Sequence, residues 1–406
     1  MAGFIQRAAA APDRLRFEAT VVGCEGAQVE LDETYFFAES GGQPSDRGEL
    51  AGCRIVDVQV EDDRIVHTLD QTPNIVVGET VSGVIDPEFR RYCRRAHTAS
   101  HVLYGAARRE VNGLGYGGFE IDERKVRVDF ESTDPMDIGT ILSLEKRANR
   151  AVWDSRAVTW AELPREEAET SDEIAFNAAT EEIFAERESV RIVEIEGWDR
   201  AACGGTHLHN TAEIGPISVL DRSNPGSGLT RVEFAVGPAA IDHFSTVHTA
   251  ARTAARELDT TPVEVQSALA ELKETVSERG DRIETIEKKL LDERLAHLEI
   301  FETNSNRWKI GTIPDVDAAV MTETLRSAVG DDGVSVIVGL AGEETSSITV
   351  ASDGEKAAHA IVASVTDVLG GGGGGNDEFA QGGGIPKSPD DIATFLHESI
   401  VETDID

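Results

Sequence analysis

The sequence has 406 residues, which is enough for two or three domains that each bury a hydrophobic core. It has no run approaching the roughly eighteen apolar residues of a membrane span, and Pro12 and Asp13 interrupt its N-terminal stretch. These features exclude a membrane protein and predict a cytoplasmic one. The formal net charge is −37, from 38 Lys and Arg against 75 Asp and Glu.

The acidic excess is spread along the whole chain rather than collected in a tail. Such a surface stays hydrated in concentrated salt, where counterions screen its self-repulsion, so the composition predicts a protein from a halophile. A nucleic-acid partner is not excluded, although molar salt would weaken phosphate contacts. The four cysteines are scattered, which argues against a disulfide framework; they are Cys24, Cys53, Cys93 and Cys203.

The segment from about residue 14 to residue 86 contains short alternating runs, such as "AQVELDE" and "RIVDVQVED", separated by Gly, Asp and Pro. Strands of this length and spacing are typical of a small antiparallel barrel. Residues 87–238 then mix helix and strand, with helical spacing in "RRYCRRAHTASHVLYGAARREV", a strand in "RKVRVDF" and a second helix in "MDIGTILSLEKRANRAVW". The sequence therefore predicts an α+β protein with a β-barrel domain over 1–86 and a mixed α/β domain over 87–238.

After Pro238 the pattern becomes helical, and residues 239–310 are predicted to form a coiled-coil-like arm. Thr261 is the expected cap, Pro262 the first helical residue, and Gly280 a candidate hairpin turn. Apolar residues then follow steps of four and three, with Arg279 in the same seam: Val265, Leu269, Leu272, Val276, Ile283, Ile286 and Leu290. An arm with this seam is expected to pack on itself or on a second copy.

Residues 311–406 are predicted to form another α/β unit, with two strands, flanking helices and a final helix. Between them lies "GGGGGGNDEFAQGGG", whose six consecutive glycines are not expected to belong to a packed element. The run is either a flexible linker or a loop whose backbone N–H groups cradle a phosphate or a nucleic-acid backbone.

Two pairs of residues suggest a metal site. His97 and His101 lie four apart on a predicted helix, so both imidazoles project from one face, and "CGGTH" places Cys203 four residues before His207. Together these four residues suit a zinc ion. Cys93, one turn before His97, and His209 are alternative ligands. A site closed by four protein ligands is ordinarily structural, so hydrolysis there would require a ligand to leave or the coordination to expand.

The two motifs occur in a longer context that resembles a known family. "HTASH" and "CGGTH", with "ETYFFAESGGQPSDRG" before them and "IGPISVLDRSNPGSGLTRVEFAVG" after them, resemble the editing domain of alanyl-tRNA synthetase and the free-standing alanyl-tRNA editing proteins. The glycine-rich tail resembles the C-terminal DHHA1 domain of the same synthetases. The matches run from about residue 14 to residue 400, and the chain opens almost directly into the barrel, so the aminoacylation domain is expected to be missing.

The resemblance implies a stand-alone hydrolase of serine or glycine esters of tRNA(Ala). It carries the family's zinc ligands onto His97, His101, Cys203 and His207, and it places Gln43 beside the pocket. Ser100 stands where the family usually has Thr, and Ser100, Thr34 and Gln43 are the candidates for polar substrate contacts. One departure concerns "LGYGGFEIDERKVRVDF", which lacks the Gln that usually lines the pocket and therefore leaves the amino-acid selectivity open.

Several residues are candidates for tRNA contact, and four of them form the densest basic cluster of this acidic chain just before His97. The candidates are Arg90, Arg91, Arg94, Arg95, Arg231 and Gln381. The basic cluster could equally be a solvated helix face. Two other functions stay open: a non-catalytic tRNA-binding protein with a structural zinc, and a phosphoesterase, although no "DHH" motif occurs. The arm or the C-terminal domain is expected to support a homodimer.

Overall fold

The computed structural model describes residues 5–132, 136–171, 174–175, 188–226, 228–303 and 306–402. The chain divides into two compact units, Met1–Thr253 and Ala254–Asp406. The predicted division into four domains is a finer one and stays a prediction. No helix in the described ranges is long and apolar enough to cross a membrane.

The first unit begins with a closed six-stranded barrel of order β2-β3-β7-β6-β5-β8, which confirms the predicted barrel. In β2 the buried residues Phe17, Ala19 and Val21 alternate with more exposed ones, so one face of the strand fills the barrel. The strands of this region are β1 Ile5–Gln6, β2 Arg16–Glu25, β3 Gln28–Leu31, β4 Glu33–Thr34, β5 Gly48–Leu50, β6 Cys53–Glu61, β7 Arg64–Leu69 and β8 Thr80–Ile85.

Helix α1, Pro87–Arg108, follows the barrel and forms the centre of the next part of the unit. Its start is well defined, because the Asp86 side chain accepts hydrogen bonds from the N–H groups of Glu88 and Phe89, and Pro87 occupies the first turn. Most of its residues from Cys93 onward are buried. A helix covered on nearly all sides can present side chains to a protected site.

Two antiparallel sheets and helix α2 pack against α1, and a short helix α3 packs against β11 and β12. The four-stranded sheet has the order β14-β15-β10-β9, and the three-stranded sheet has the order β11-β12-β13. Apolar side chains of α1, β10 and β15 share one core. The elements are β9 Gly115–Ile121, β10 Val126–Glu131, α2 Ile138–Trp153, β11 Val158–Pro164, α3 Arg165–Glu169, β12 Ser189–Ile195, β13 Asp199–Ala202, a 3-10 turn Thr211–Ile214, β14 Ile217–Gly226 and β15 Leu229–Val236.

A helix over Pro238–Glu257 leads to the arm helix, Val265–His297, which belongs to the second unit. The arm is one continuous helix, so the predicted hairpin turn at Gly280 is wrong. A single glycine costs a helix only about 1 kcal/mol relative to alanine, which is too little to break a helix of 33 residues. The expected cap is also wrong, since the helix begins after Glu264 and the Thr261 hydroxyl donates to the Glu264 carboxylate (2.7 Å).

The second unit is built on a six-stranded sheet of order β16-β17-β18-β19-β21-β20. Its strands are β16 Ile300–Glu302, β17 Arg307–Thr312, β18 Val336–Ala341, β19 Ser346–Ser352, β20 Gly372–Gly375 and β21 Phe379–Ile385. The helices are Ala318–Ala328, Ala358–Leu369 and Pro389–Glu402, with a 3-10 turn at Asp331–Gly333.

Strand β20 consists of four of the six consecutive glycines and pairs with β21, so the expectation that this run lies outside packed structure is wrong. The reason is close approach. A Cβ on Gly373 would lie 2.4 Å from the Gln381 carbonyl oxygen and 2.7 Å from Cγ1 of Val362 in the helix Ala358–Leu369. Glycine is therefore the residue that lets this edge strand lie against both neighbours.

Candidate metal centre

Helix α1 and the turn after β13 bring His97, His101, Cys203 and His207 together. Their ligand atoms all lie within 4.8 Å of one another. The Cys203 Sγ is 3.2 Å from the His97 Nε2 and 3.3 Å from the His207 Nε2. A tetrahedral zinc with bonds of about 2.3 Å to sulfur and about 2.0 Å to nitrogen separates such atoms by about 3.5 Å, so these two sulfur–nitrogen distances are close to those of a zinc site.

The turn depends on a glycine at one position. A Cβ on Gly205 would lie 2.1 Å from the His97 Cε1 and 2.3 Å from its Nδ1, whereas Gly204 has open space beside it. Any side chain at position 205 would therefore displace the imidazole of His97.

Each histidine of the group has its Nδ1 beside an oxygen atom. The Nδ1 of His97 is 2.9 Å from the Gln43 Oε1, and that of His101 is 2.9 Å from the Asp199 Oδ2. The Nδ1 of His207 is 3.3 Å from the Thr98 hydroxyl. With the Nδ1–H groups donating to these oxygens, all three Nε2 atoms are free to bind a metal.

The protonation states of these side chains also favour metal binding. Burial would raise the pKa of Cys203, but His97, His207 and hydrogen bonds from His101 and His207 hold it well below its ordinary value. Burial lowers the pKa of His207 well below its ordinary value. Burial also lowers the pKa of His101, but its hydrogen bonds to Asp199 and Cys203 outweigh this and raise it to about 10. A thiolate and a neutral imidazole are thus available at neutral pH, and His101 would release a proton when a metal binds.

Two buried arginines hold the turn by its carbonyl groups. The Arg191 Nη1 donates to the carbonyl oxygens of Cys203 (2.7 Å) and Gly205 (3.1 Å). The Arg94 Nε donates to the carbonyl oxygen of His207 (2.8 Å). Arg191 could not be identified from the sequence, because nothing near it in the chain resembles a site.

The three residues predicted to contact substrate have different surroundings. Gln43 is fully buried and joins the barrel to the turn: its Oε1 accepts from the Thr206 N–H (3.1 Å) and its Nε2 donates to the Thr206 hydroxyl (2.9 Å). The Ser100 hydroxyl donates to the His97 carbonyl oxygen (2.7 Å) in its own helix. The Thr34 hydroxyl is hydrogen-bonded inside the barrel, 2.9 Å from the His67 Nε2. Gln43 is therefore the one of the three that contacts the imidazole of a candidate ligand, whereas Ser100 contacts only the main chain of His97.

The predicted basic cluster is partly internal. Arg90 is 1% exposed, forms an ion pair with Asp46 and donates to the carbonyl oxygens of Pro12 and Tyr35, so a phosphate contact by Arg90 is wrong. Arg94 is also buried and donates to the Asp13 carboxylate (2.6 Å). These two residues lie four apart on α1 and therefore face the same buried side as His97.

The other half of the basic cluster lies nearer the surface. Arg91 is exposed, and Arg95 is half-buried with its Nε donating to the Glu213 carbonyl oxygen (2.9 Å). Arg231 makes two hydrogen bonds to the Asp129 carboxylate, at 2.8 and 2.9 Å. Gln381 lies in the second unit, where its Nε2 faces the Met321 Sδ (3.9 Å).

Neither alternative ligand is part of the group. Cys93 is fully buried, and burial raises the pKa of its thiol to about 12, so the thiol stays protonated. The His209 Nε2 is 2.7 Å from the Asp13 carboxylate at the surface. The four described residues that can hold a metal together are therefore the two histidines of α1 and the cysteine and histidine of "CGGTH".

Comparison with known proteins gives two family matches. A model described as "Threonyl and Alanyl tRNA synthetase second additional domain" matches residues 190–233, which contain Cys203 and His207. A model described as "tRNA synthetases class II (A)" matches residues 5–89, the region of the barrel.

Similar curated proteins are alanine–tRNA ligases. Those of Ignicoccus hospitalis, Halobacterium salinarum and Bifidobacterium longum are 31%, 32% and 32% identical over 80%, 88% and 93% of this chain. The matches cover 36%, 38% and 45% of those proteins, so the chain spans less than half the length of these relatives. A crystal structure of the C-Ala domain from Aquifex aeolicus alanyl-tRNA synthetase matches 26% of this chain at 21% identity with a TM-score of 0.22. The chain thus carries domains related to alanyl-tRNA synthetases, together with a buried cluster that can bind a metal ion.

Proposed function

We propose that this protein is an editing hydrolase that removes serine or glycine from mischarged tRNA(Ala), acting as a stand-alone enzyme with zinc as its cofactor. One observation carries the proposal. A buried three-histidine, one-cysteine group, with each Nδ1 held by an oxygen, includes two residues inside the segment that matches the second additional domain. The alanine–tRNA ligases among its relatives support tRNA(Ala) as the substrate.

Bound at these four residues, zinc would act on the ester as a Lewis acid once a ligand leaves or the coordination expands. The protein's own residues fix the arrangement: Gln43, Asp199 and Thr98 orient the three imidazoles, and Arg94 and Arg191 hold the turn. In the reaction a water oxygen adds to the ester carbonyl carbon, and the bond between that carbon and the ribose oxygen breaks. The ribose oxygen takes the proton that the water loses.

A separate editing site has a physical reason. A site that activates alanine cannot reject the slightly larger serine or the smaller glycine strongly by packing alone, so a second site must test the product. Hydrogen bonds to the serine hydroxyl discriminate more strongly than a methylene does.

The test is deacylation of seryl-, glycyl- and alanyl-tRNA(Ala) in high potassium chloride, before and after zinc is stripped. Zinc-dependent loss of serine or glycine, with alanine spared, supports the proposal. Cys203→Ala should lose both zinc and activity, whereas Cys93→Ala, which removes a buried thiol outside the group, should keep both. Normal turnover by Cys203→Ala would rule out a role for the metal group.

The second candidate is a non-catalytic tRNA-binding protein with a structural zinc. The observation that favours it is the closed donor set, since four protein ligands leave a tetrahedral zinc no open position. Tight tRNA binding without turnover on any of the three substrates would select this function.

We place the tRNA contacts of α1 on Arg91 and Arg95, near the start of the helix that carries two of the candidate ligands. Arg91→Gln combined with Arg95→Gln should raise the KM for charged tRNA and leave the zinc content unchanged. Arg54→Gln, an exposed arginine on a barrel strand, is the matched control. Arg231 and Gln381 remain further candidate contacts, and an unchanged KM in their Gln and Ala variants would remove them from the set.

We also propose that the arm helix mediates a homodimer. Six apolar residues of its seam are 42–62% exposed. In an antiparallel pair centred between residues 277 and 278, Leu269 faces Ile286 of a second copy, Leu272 faces Ile283, and Val276 faces Arg279. A parallel pair would instead place Arg279 against Arg279 of the second copy. Ile283→Lys should therefore give a monomer by size-exclusion light scattering, and the neighbouring Glu284→Lys should stay dimeric; a monomeric wild-type protein would refute the pairing.

A further inference from the structure

Strand β9 contains a β-bulge beside the metal group. In its pairing with β10, Phe119 faces Val128 and Gly118 faces Asp129, but Tyr116 faces Phe130, so Gly117 is the extra residue. Side chains alternate along a regular strand, and residues 116 and 119 would then point to opposite faces. The bulge shifts the phase by one residue and places Tyr116 on the same face as Phe119.

That face is the one that meets the metal group. The Phe119 ring centroid is 4.7 Å from that of His97. The strand is anchored to the loop that carries Gln43, because the Ile121 N–H donates to the Gly42 carbonyl oxygen (2.8 Å) and a Cβ on Gly42 would lie 2.0 Å from the Phe119 carbonyl oxygen. The position of β9 relative to the ligands is therefore fixed at both the helix and the loop.

Tyr116 continues the Phe119 face of β9 along helix α1. His97, His101 and Tyr104 follow one another at steps of four and three, so they form one stripe of the helix. The Tyr116 and Tyr104 rings meet edge to face, with centroids 5.1 Å apart. The two tyrosines thus lie about one helical turn beyond His101.

The Tyr116 side chain is half-buried, and its hydroxyl has no hydrogen-bond partner among the residues that the structure describes. Tyr92 differs, since its hydroxyl donates to the Asp122 carbonyl oxygen (2.7 Å). A tyrosine hydroxyl keeps its proton at neutral pH and can therefore donate a hydrogen bond. A half-buried tyrosine with a free hydroxyl on the wall of a site is suited to a polar ligand group.

We propose that Tyr116 is the specificity-determining residue of this site, and that its hydroxyl hydrogen-bonds to the side-chain hydroxyl of a seryl ester. The inference rests on the proposed function and goes beyond it, because it selects serine over glycine. A site built to pair with a substrate hydroxyl disfavours analogues that lack it, since its own polar group is then left unpaired. Glycyl and alanyl esters lack that hydroxyl.

The test compares Tyr116→Phe, which removes only the hydroxyl, with Tyr92→Phe, which removes a hydroxyl of α1 that is bonded elsewhere. For Tyr116→Phe we expect kcat/KM on seryl-tRNA(Ala) to fall about tenfold, with less than about a twofold change on glycyl-tRNA(Ala) and an unchanged zinc content. Tyr92→Phe should keep the serine-to-glycine ratio of the wild-type protein.

The outcomes separate the two proposals. If the wild-type protein hydrolyses these esters and Tyr116→Phe has the same serine-to-glycine ratio, the assignment of Tyr116 is overturned and the editing function stands. An equal fall on both substrates also overturns it, because the hydroxyl would then support the site rather than select the substrate. A wild-type protein that hydrolyses none of the esters overturns the editing function itself, and the inference with it.

Discussion

Replacing Asp199 by Asn tests whether the oxygens behind the histidines tune the metal group. The Asp199 carboxylate is 4% exposed, and its Oδ2 lies 2.9 Å from the His101 Nδ1. Asparagine can still offer an oxygen to the Nδ1–H, so the change removes the charge and keeps the approximate shape. The effect should therefore appear in metal affinity rather than in folding.

The magnitude follows from the kind of hydrogen bond that is lost. A hydrogen bond to a charged group contributes about 1.5–3 kcal/mol, against about 0.5–1.5 kcal/mol for a neutral one. The midpoints of these ranges differ by about 1.2 kcal/mol, which corresponds to about an eightfold weaker zinc affinity of deprotonated His101, close to the lower end of the effects known for such partners. The substitution also removes the weak attraction between the Asp199 Oδ1 and the Nη1 of Arg108, which lie 4.0 Å apart.

The assay is competition for zinc between the protein and a chromogenic chelator, with stoichiometry from elemental analysis. Asp377→Asn is the matched control, since the Asp377 carboxylate pairs with a histidine of the second unit, at 3.0 Å from the His359 Nδ1. Its zinc affinity should stay within about twofold of the wild-type value. Equal affinities for Asp199→Asn and wild type would refute the reasoning that Asp199 raises the donor strength of His101.

Three other predictions concern stability. Burial lowers the pKa of His67 from 6.5 to about 4, so the unfolded chain binds more protons than the folded protein between these pH values. The free energy of unfolding should therefore fall by up to about 3 kcal/mol as the pH drops through this window. Urea titrations at several pH values should show a shallower fall for His67→Leu, and equal slopes would contradict the assignment. Arg90→Met should lower the free energy of unfolding by about 3–5 kcal/mol, because it leaves Asp46 buried without its counter-charge. The exposed Arg91→Met should lower it by less than about 0.5 kcal/mol, and similar losses for both variants would show that the buried pair is unimportant. Raising potassium chloride from about 0.1 M to about 2 M should raise the Tm, because salt screens a net charge of −37, and sucrose should not reproduce the full gain if screening is the cause.

The sequence was sufficient for the features that depend on local spacing. Two histidines four apart on a helix must share a face, and a cysteine and a histidine around two glycines must lie on a tight turn, so the group of possible ligands could be predicted before the fold was known. The barrel strands were equally visible, because alternation of buried and exposed residues is a property of each strand by itself.

The same spacing rule could have corrected the basic cluster. Arg90, Arg94, His97 and His101 follow one another at steps of four, three and four on α1, so they belong to one stripe of the helix. A stripe that buries two histidines buries the two arginines as well. Their partners Asp46 and Asp13 lie 44 and 81 residues away in the chain, and only the fold identifies such partners.

Strand β9 shows why the proposed role of Tyr116 could not be predicted from the sequence. Strict alternation over "GYGGFEI" puts Tyr116 and Phe119 on opposite faces, and a reader of the sequence has no way to know that Gly117 is skipped in the pairing with β10. A glycine in a strand indicates a bulge, but three glycines in seven residues do not say which one it is. The pairing partner decides, and with it the face on which the hydroxyl of Tyr116 lies. The proposed selectivity thus depends on a one-residue shift between β9 and β10, which is a property of the strand pair and not of either strand alone.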